Sequence, residues 1–81
     1  MVYYKYEIFR ADGTRKAYVL KKQMGLERMR RIVGGNVECV GNLRGTMFFA
    51  NEEGRLMGLD ANRTFKYLVG NVFTERRITI K

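Results

Sequence analysis

Arginine is the residue type with the most chemistry to offer in this sequence. Ten Arg and six Lys stand against eight Asp and Glu, giving a net charge of +8 and a pI of about 10.1. A guanidinium presents a planar fork of donors that matches phosphate or carboxylate with two hydrogen bonds. The cations come in groups. Lys21, Lys22, Arg28, Arg30 and Arg31 face only Glu27 between positions 21 and 33. Arg10, Arg15 and Lys16 flank an Asp12-Gly13 turn, and Arg76, Arg77 and Lys81 follow the last apolar stretch. Converged on one face, Arg15, Lys16, Arg28, Arg31, Arg76 and Arg77 would form an anion-binding surface. Its nucleic-acid contacts would run through phosphates and weaken steeply with salt. Tyr3 and Tyr18 are the candidate stacking groups. With Lys5, Phe9 and Lys16 they are expected on the strand face opposite the core, where aromatics interleaved with cations stack unpaired bases. The plainer reading is a solvated strand face with Lys stems lying over rings.

Other chemistry is thin. The chain has no His, Trp, Pro or Ser and a single Cys. Without His, no Ser-His-Asp or Cys-His nucleophile can be built, and the commonest metal ligand is missing. Cys39 cannot close an intramolecular disulfide. Alone it cannot supply the roughly four N or S ligands of a zinc site, so it reads as a small apolar residue beside Val37. Glu52 and Glu53 are adjacent, and on a strand they would point to opposite faces. A hydrolytic pair needs both carboxyls in one cleft, ~5–9 Å apart. Gly34-Gly35 follows a helix, whereas a phosphate-binding glycine loop precedes one. The expectation is no enzyme activity, no cofactor and no metal. No apolar run approaches the ~18 residues of a membrane span. The absence of a disulfide framework and of a signal-like start suggests a cytoplasmic protein with no membrane partner.

The elements that must position these groups follow from the pattern. Eighty-one residues, 46% of them hydrophobic, make one domain spanning 1–81. Residues 2–20 alternate with period two around Asp12-Gly13. A two-residue turn there predicts a hairpin that sets Ile8 opposite Ala17, Tyr6 opposite Val19 and Arg10 beside Arg15. Leu26, Met29, Ile32 and Val33 form one stripe of a helix over 25–33, closed by Gly34-Gly35. Strands are expected over 36–40, 46–50 and 55–59. The middle one lies inside the sheet because both its faces are apolar, and Leu56 returns opposite Phe49. Asp60 starts a short second helix carrying Ala61, Phe65, Leu68 and Val69 on one face. Residues 72–81 form a last strand with Val72, Thr74, Arg76, Ile78 and Ile80 on one side. The expected class is α+β: a small antiparallel sheet in the order ββαβββαβ, with both helices packed on one face.

Three pieces of the chain carry a family resemblance. A helix ends in Ile32-Val33-Gly34-Gly35 and runs into Val37-Glu38. An apolar strand precedes Asn51-Glu52-Glu53-Gly54-Arg55-Leu56. Gly58-Leu59 is followed by Asn62-Arg63. Together they resemble domain of unknown function 3846, a family of small phage and bacterial proteins, over about residues 26–72. The resemblance implies a phage, mobile-element or bacterial setting, with the host cytoplasm as the compartment of a viral protein. It implies no activity and assigns no site residue.

The reading that joins these observations is a small non-catalytic binding protein for an acidic protein surface or a polyanion such as nucleic acid. Two alternatives stand beside it. One is a protein inhibitor of a host enzyme or defence system, working through an apolar patch with Arg anchors. The other is a binder of small anions or nucleotides. Self-association is left open.

Overall fold

A computed structural model describes residues 1–81. Six elements follow in the chain: β1 (Val2–Phe9), β2 (Arg15–Leu20), α1 (Leu26–Val33), β3 (Val37–Leu43), β4 (Thr46–Asn51) and β5 (Val72–Thr79). The strands form one antiparallel sheet in the order β2-β1-β5-β4-β3. The sequence expectation of an α+β domain with two helices is therefore corrected. The order is ββαβββ, mostly sheet, with one short helix.

The hairpin forms, but one residue out of the expected register. Tyr6 pairs with Tyr18, Ile8 with Lys16 and Phe9 with Arg15. Its loop holds three residues rather than two. Arg10 N–H donates to Thr14 O at 2.9 Å, and Gly13 N–H donates to Arg10 O at 2.9 Å with Gly13 at φ 93°. Asp12 Oδ1 accepts from both the amide and the hydroxyl of Thr14 at 2.9 and 2.7 Å, which favours the wider loop. A shift of one residue moves a whole side-chain set to the other face of a sheet. Lys16 and Tyr18 thereby join Ile8 and Tyr6 on the helix-covered face, and the expected Arg10–Arg15 pair does not form.

That face carries the core of Tyr6, Ile8, Met24, Val33 and Phe73, with Met29, Ile32, Val37 and Phe49 packed against it. Phe49 stacks on Phe73 at 4.9 Å. The apolar stripe of α1 lies as its spacing predicts, except that Leu26 at its start is exposed. Gly34 ends the helix at φ 77°, donating to Arg30 O at 2.7 Å. On the opposite face, Phe65 packs edge-on against Phe9 at 4.8 Å and Phe48 at 5.7 Å.

Residues 52–71 cover part of that second face without the expected strand at 55–59 or the expected second helix. Leu56 does not return opposite Phe49 but stands 89% exposed. Asn62 explains the missing helix. Its Oδ1 accepts from the amides of Thr64 and Phe65, offering the backbone a partner other than the helical one. Its backbone N–H donates to Leu68 O, and Ala61 bridges Val69 across the loop. A segment of about nine residues has little helical tendency to set against this.

Candidate functional site

The eight residues expected to form one surface divide between the two faces of the sheet. Lys16 and Tyr18 on β2 and Arg28 and Arg31 on α1 come together on the helix side. The Arg28 guanidinium lies 4.8 Å above the Tyr18 ring. Arg15 is on the other face, 4.6 Å over Phe9 and 3.0 Å from Glu7, so an acid already neutralises it. Arg76 shares that other face beside Lys5, and Tyr3 sits there opposite Ile78 with its hydroxyl turned to Met1 Sδ. Arg77 points to the helix side but pairs with Tyr4, at the end of the sheet away from Phe9 and the hairpin loop. Arg15, Arg76, Arg77 and Tyr3 are thus not part of a single patch with Arg28 and Arg31. The register shift and the alternation along β5 are the physical reasons.

Arg10 joins the cluster, although its position in the sequence pattern marks it only as a turn-flanking cation. With Arg28, Arg31, Ile8, Ile32 and Asn71 it lines a concavity of about 420 Å³. Asn71 fixes the geometry of this hollow. Its Nδ2 donates to Ile32 O at 2.9 Å in the last turn of α1, and its Oδ1 accepts from Ala11 N at 3.0 Å in the hairpin loop. One side chain therefore clamps the element carrying Arg31 to the loop beside Arg10. The signal that could have found Asn71 is its place just before an apolar strand, where a polar side chain must answer to backbone groups nearby.

Arg28 and Arg31 have no carboxylate within ion-pair distance, while Arg10 also faces Asp12 and Asp60 across the adjoining hollow. Of sixteen Lys and Arg, only Lys5 and Arg15 lie within ion-pair distance of a carboxylate, and both share Glu7. A neighbouring hollow differs. Arg10 and Arg63 there stand with Asp12 and Asp60. Hydrogen bonds from the Thr14 amide and hydroxyl hold the Asp12 carboxyl below the usual carboxylate range, and the charges of Arg10 and Arg63 act in the same direction. Its signs balance, so it has no comparable pull on an anion. Nowhere do three His, Cys, Asp or Glu side chains come together as metal ligands, and no helix is long and apolar enough to cross a membrane. Cys39 is exposed rather than packed, with its thiol donating to Gly41 O at 3.4 Å.

A second polar cluster is buried inside the sheet. The Tyr6 hydroxyl donates to Glu75 Oε2 at 2.5 Å and accepts from Met24 N–H at 2.7 Å, while Gln23 Nε2 donates to Glu75 Oε1 at 3.3 Å. Burial pushes the Tyr6 phenol far above its ordinary value, and the hydrogen bond to Glu75 adds to the shift. Tyr6 is fully buried and Glu75 nearly so. This cluster fastens the approach to α1 onto β1 and β5, and offers no cavity to a ligand.

Fold and site together define a small antiparallel sheet domain, with one helix over one face and an arginine-lined hollow beside that helix. The chain belongs to the family described as Domain of unknown function (DUF3846), whose model matches residues 6–77. The match takes in most of the hairpin and β5 as well as the middle of the chain. No curated protein and no solved structure matches the sequence.

Proposed function

We propose that this protein is a small non-catalytic binding module for an acidic or polyanionic partner, nucleic acid being the partner that best suits its chemistry. The observation that carries the reading is the convergence of Arg10, Arg28 and Arg31 on one concavity without a carboxylate in ion-pair contact. Each guanidinium can engage a phosphate through two hydrogen bonds, and releasing condensed counterions from the nucleic acid supplies much of the affinity. Lys16 and Tyr18 extend the surface along β2. Tyr18 offers a ring to an unpaired base only where Arg28 swings off it.

Fluorescence anisotropy with labelled single- and double-stranded DNA and RNA tests this reading. Binding is expected at roughly 50 mM salt and should weaken with a log–log slope near −2 for about three phosphate contacts on a single strand. The charge reversal Arg28→Glu/Arg31→Glu should reduce affinity by about thirtyfold or more, and Arg76→Glu/Arg77→Glu by only a few-fold. Absence of binding to every probe at low salt would overturn the nucleic-acid reading. Equal losses from the two double variants would overturn the assignment to the helix side.

A further inference from the structure

The other face holds a second feature that the cationic hollow does not explain. Where β3 meets the covering segment there is an apolar hollow of about 360 Å³, lined by Val40, Gly41, Leu43, Phe48, Phe65 and Leu68 among others. Its surroundings are unusually apolar for an exposed site. Tyr67 is 87% exposed, Leu43 65% and Val40 37%. Exposed apolar patches of this kind on small domains mark interaction surfaces.

Two details give the hollow its shape. Gly41 faces the same side as Phe48, its partner on β4, and a Cβ built there meets no atom within 4 Å. The slot is open because position 41 has no side chain, in a strand where glycine is otherwise unfavourable. The register also shifts between Cys39 and Gly41, and this bulge aims Val40 into the rim. β3 is an outer strand of the sheet, so the backbone beside the hollow has no strand on its far side. Arg44 and Lys66 adjoin the lining residues in sequence, and the Arg55 guanidinium donates to Tyr67 O at 2.7 Å on the exposed rim.

We propose that an extended, acidic segment of a partner protein adds along the open edge of β3 and places a bulky apolar side chain in the slot above Gly41. Strand addition provides main-chain hydrogen bonds, and the slot provides selectivity for one side chain. The acidic character is assigned to the part of the segment beside Leu43, where Arg44 follows the lining in sequence, since Glu38 and Glu52 line the adjoining hollow at the Val40 end. The net charge of +8 favours an acidic partner and opposes docking of a second copy.

The test uses a yeast-displayed library of random dodecapeptides panned against the whole protein, followed by anisotropy with the selected peptides. Enrichment of a Leu, Ile, Phe or Tyr flanked by Asp or Glu is expected. In ¹⁵N spectra the peptides should shift the amides of residues 40–43 and 65–68. Gly41→Ile, which fills open space, should leave the melting temperature and nucleic-acid titration unchanged and weaken the peptides about tenfold or more. Leu43→Glu, at an exposed position, should give a comparable loss and serves if the first variant folds poorly. Peptides without an apolar anchor, peptides that bind both variants as well as the parent, or self-association abolished by Gly41→Ile would each overturn the proposal. The Arg28/Arg31 variant keeps this binding, so failure here and failure of the polyanion reading are separable.

Discussion

Asn62→Ala is expected to lower stability by about 3–5 kcal/mol, because one fully buried amide answers four backbone groups. Its Nδ2 donates to Phe9 O at 2.8 Å and Gly70 O at 2.9 Å, and its Oδ1 accepts from Thr64 N and Phe65 N at 2.9 and 3.0 Å. Truncation leaves Phe9 O and Gly70 O without a partner where they are buried, and Thr64 N–H and Phe65 N–H where they are partly buried. Each unsatisfied buried group costs about 1–3 kcal/mol, and partial rearrangement of the loop lowers the sum. In a domain of this size that is a drop in melting temperature of ~12 °C or more. Asn62→Asp should be no better at neutral pH, since it turns a carboxylate oxygen towards two carbonyls. Calorimetry of both variants checks the magnitude. A loss confined to faster amide exchange at residues 63–70, with the melting temperature unchanged, would show that the loop opens independently of the sheet and would refute the expectation.

Tyr6→Phe is expected to cost about 2–4 kcal/mol, since it strips Glu75 of its shortest hydrogen bond and leaves Met24 N–H unpaired, both buried. Replacing both partners, Tyr6→Phe/Glu75→Leu, should recover at least half of that loss, because the buried carboxyl is then gone as well. The same site sets an alkaline limit. The phenol is protonated in the folded and unfolded chain below about pH 10, so its contribution is fully present there. Above that point the unfolded phenol ionises and the folded one does not, so stability falls as pH rises. Melting temperatures between about pH 8 and 11 should decline in the native sequence and decline less in Tyr6→Phe. Parallel decline would show that Tyr6 is not the group responsible.

Much of the architecture was legible because local signals agreed with one another. The stripe Met29, Ile32, Val33 and the glycine at 34 define α1, and the apolar run 46–50 has the two apolar faces of the inner strand that β4 is. Val72, Thr74 and Ile78 marked β5 as one strand despite Glu75-Arg76-Arg77. The hairpin register was missed because Asp12-Gly13 is compatible with two loop lengths. The side chain of Thr14, outside the turn pair, selects the longer one. The second helix was missed because Ala61, Phe65, Leu68 and Val69 keep helical spacing while Asn62 ties up the backbone needed to form it. The motif pieces Asn51-Glu52-Glu53-Gly54 and Asn62-Arg63 have a structural reason. Asn51 Nδ2 donates to Val33 O and its Oδ1 accepts from Glu53 N, so it fastens the end of α1 to β4 as Asn62 fastens the loop to β1. The hairpin register and the alternation along β5 together took half of the candidate site off the helix side. Tyr18 and Lys16 came to the arginines of α1, while Arg15 was taken by Glu7.

β5 lies between two hairpins that touch each other through no other strand. It is the sixth of the six elements to leave a ribosome. Until residues 72–79 emerge, a nascent chain holds two separate ribbons, each with an unpaired flank where β5 will insert. Commitment to the native sheet is therefore a late, long-range event, and a protease that removes this segment dissolves the sheet itself rather than trimming its border.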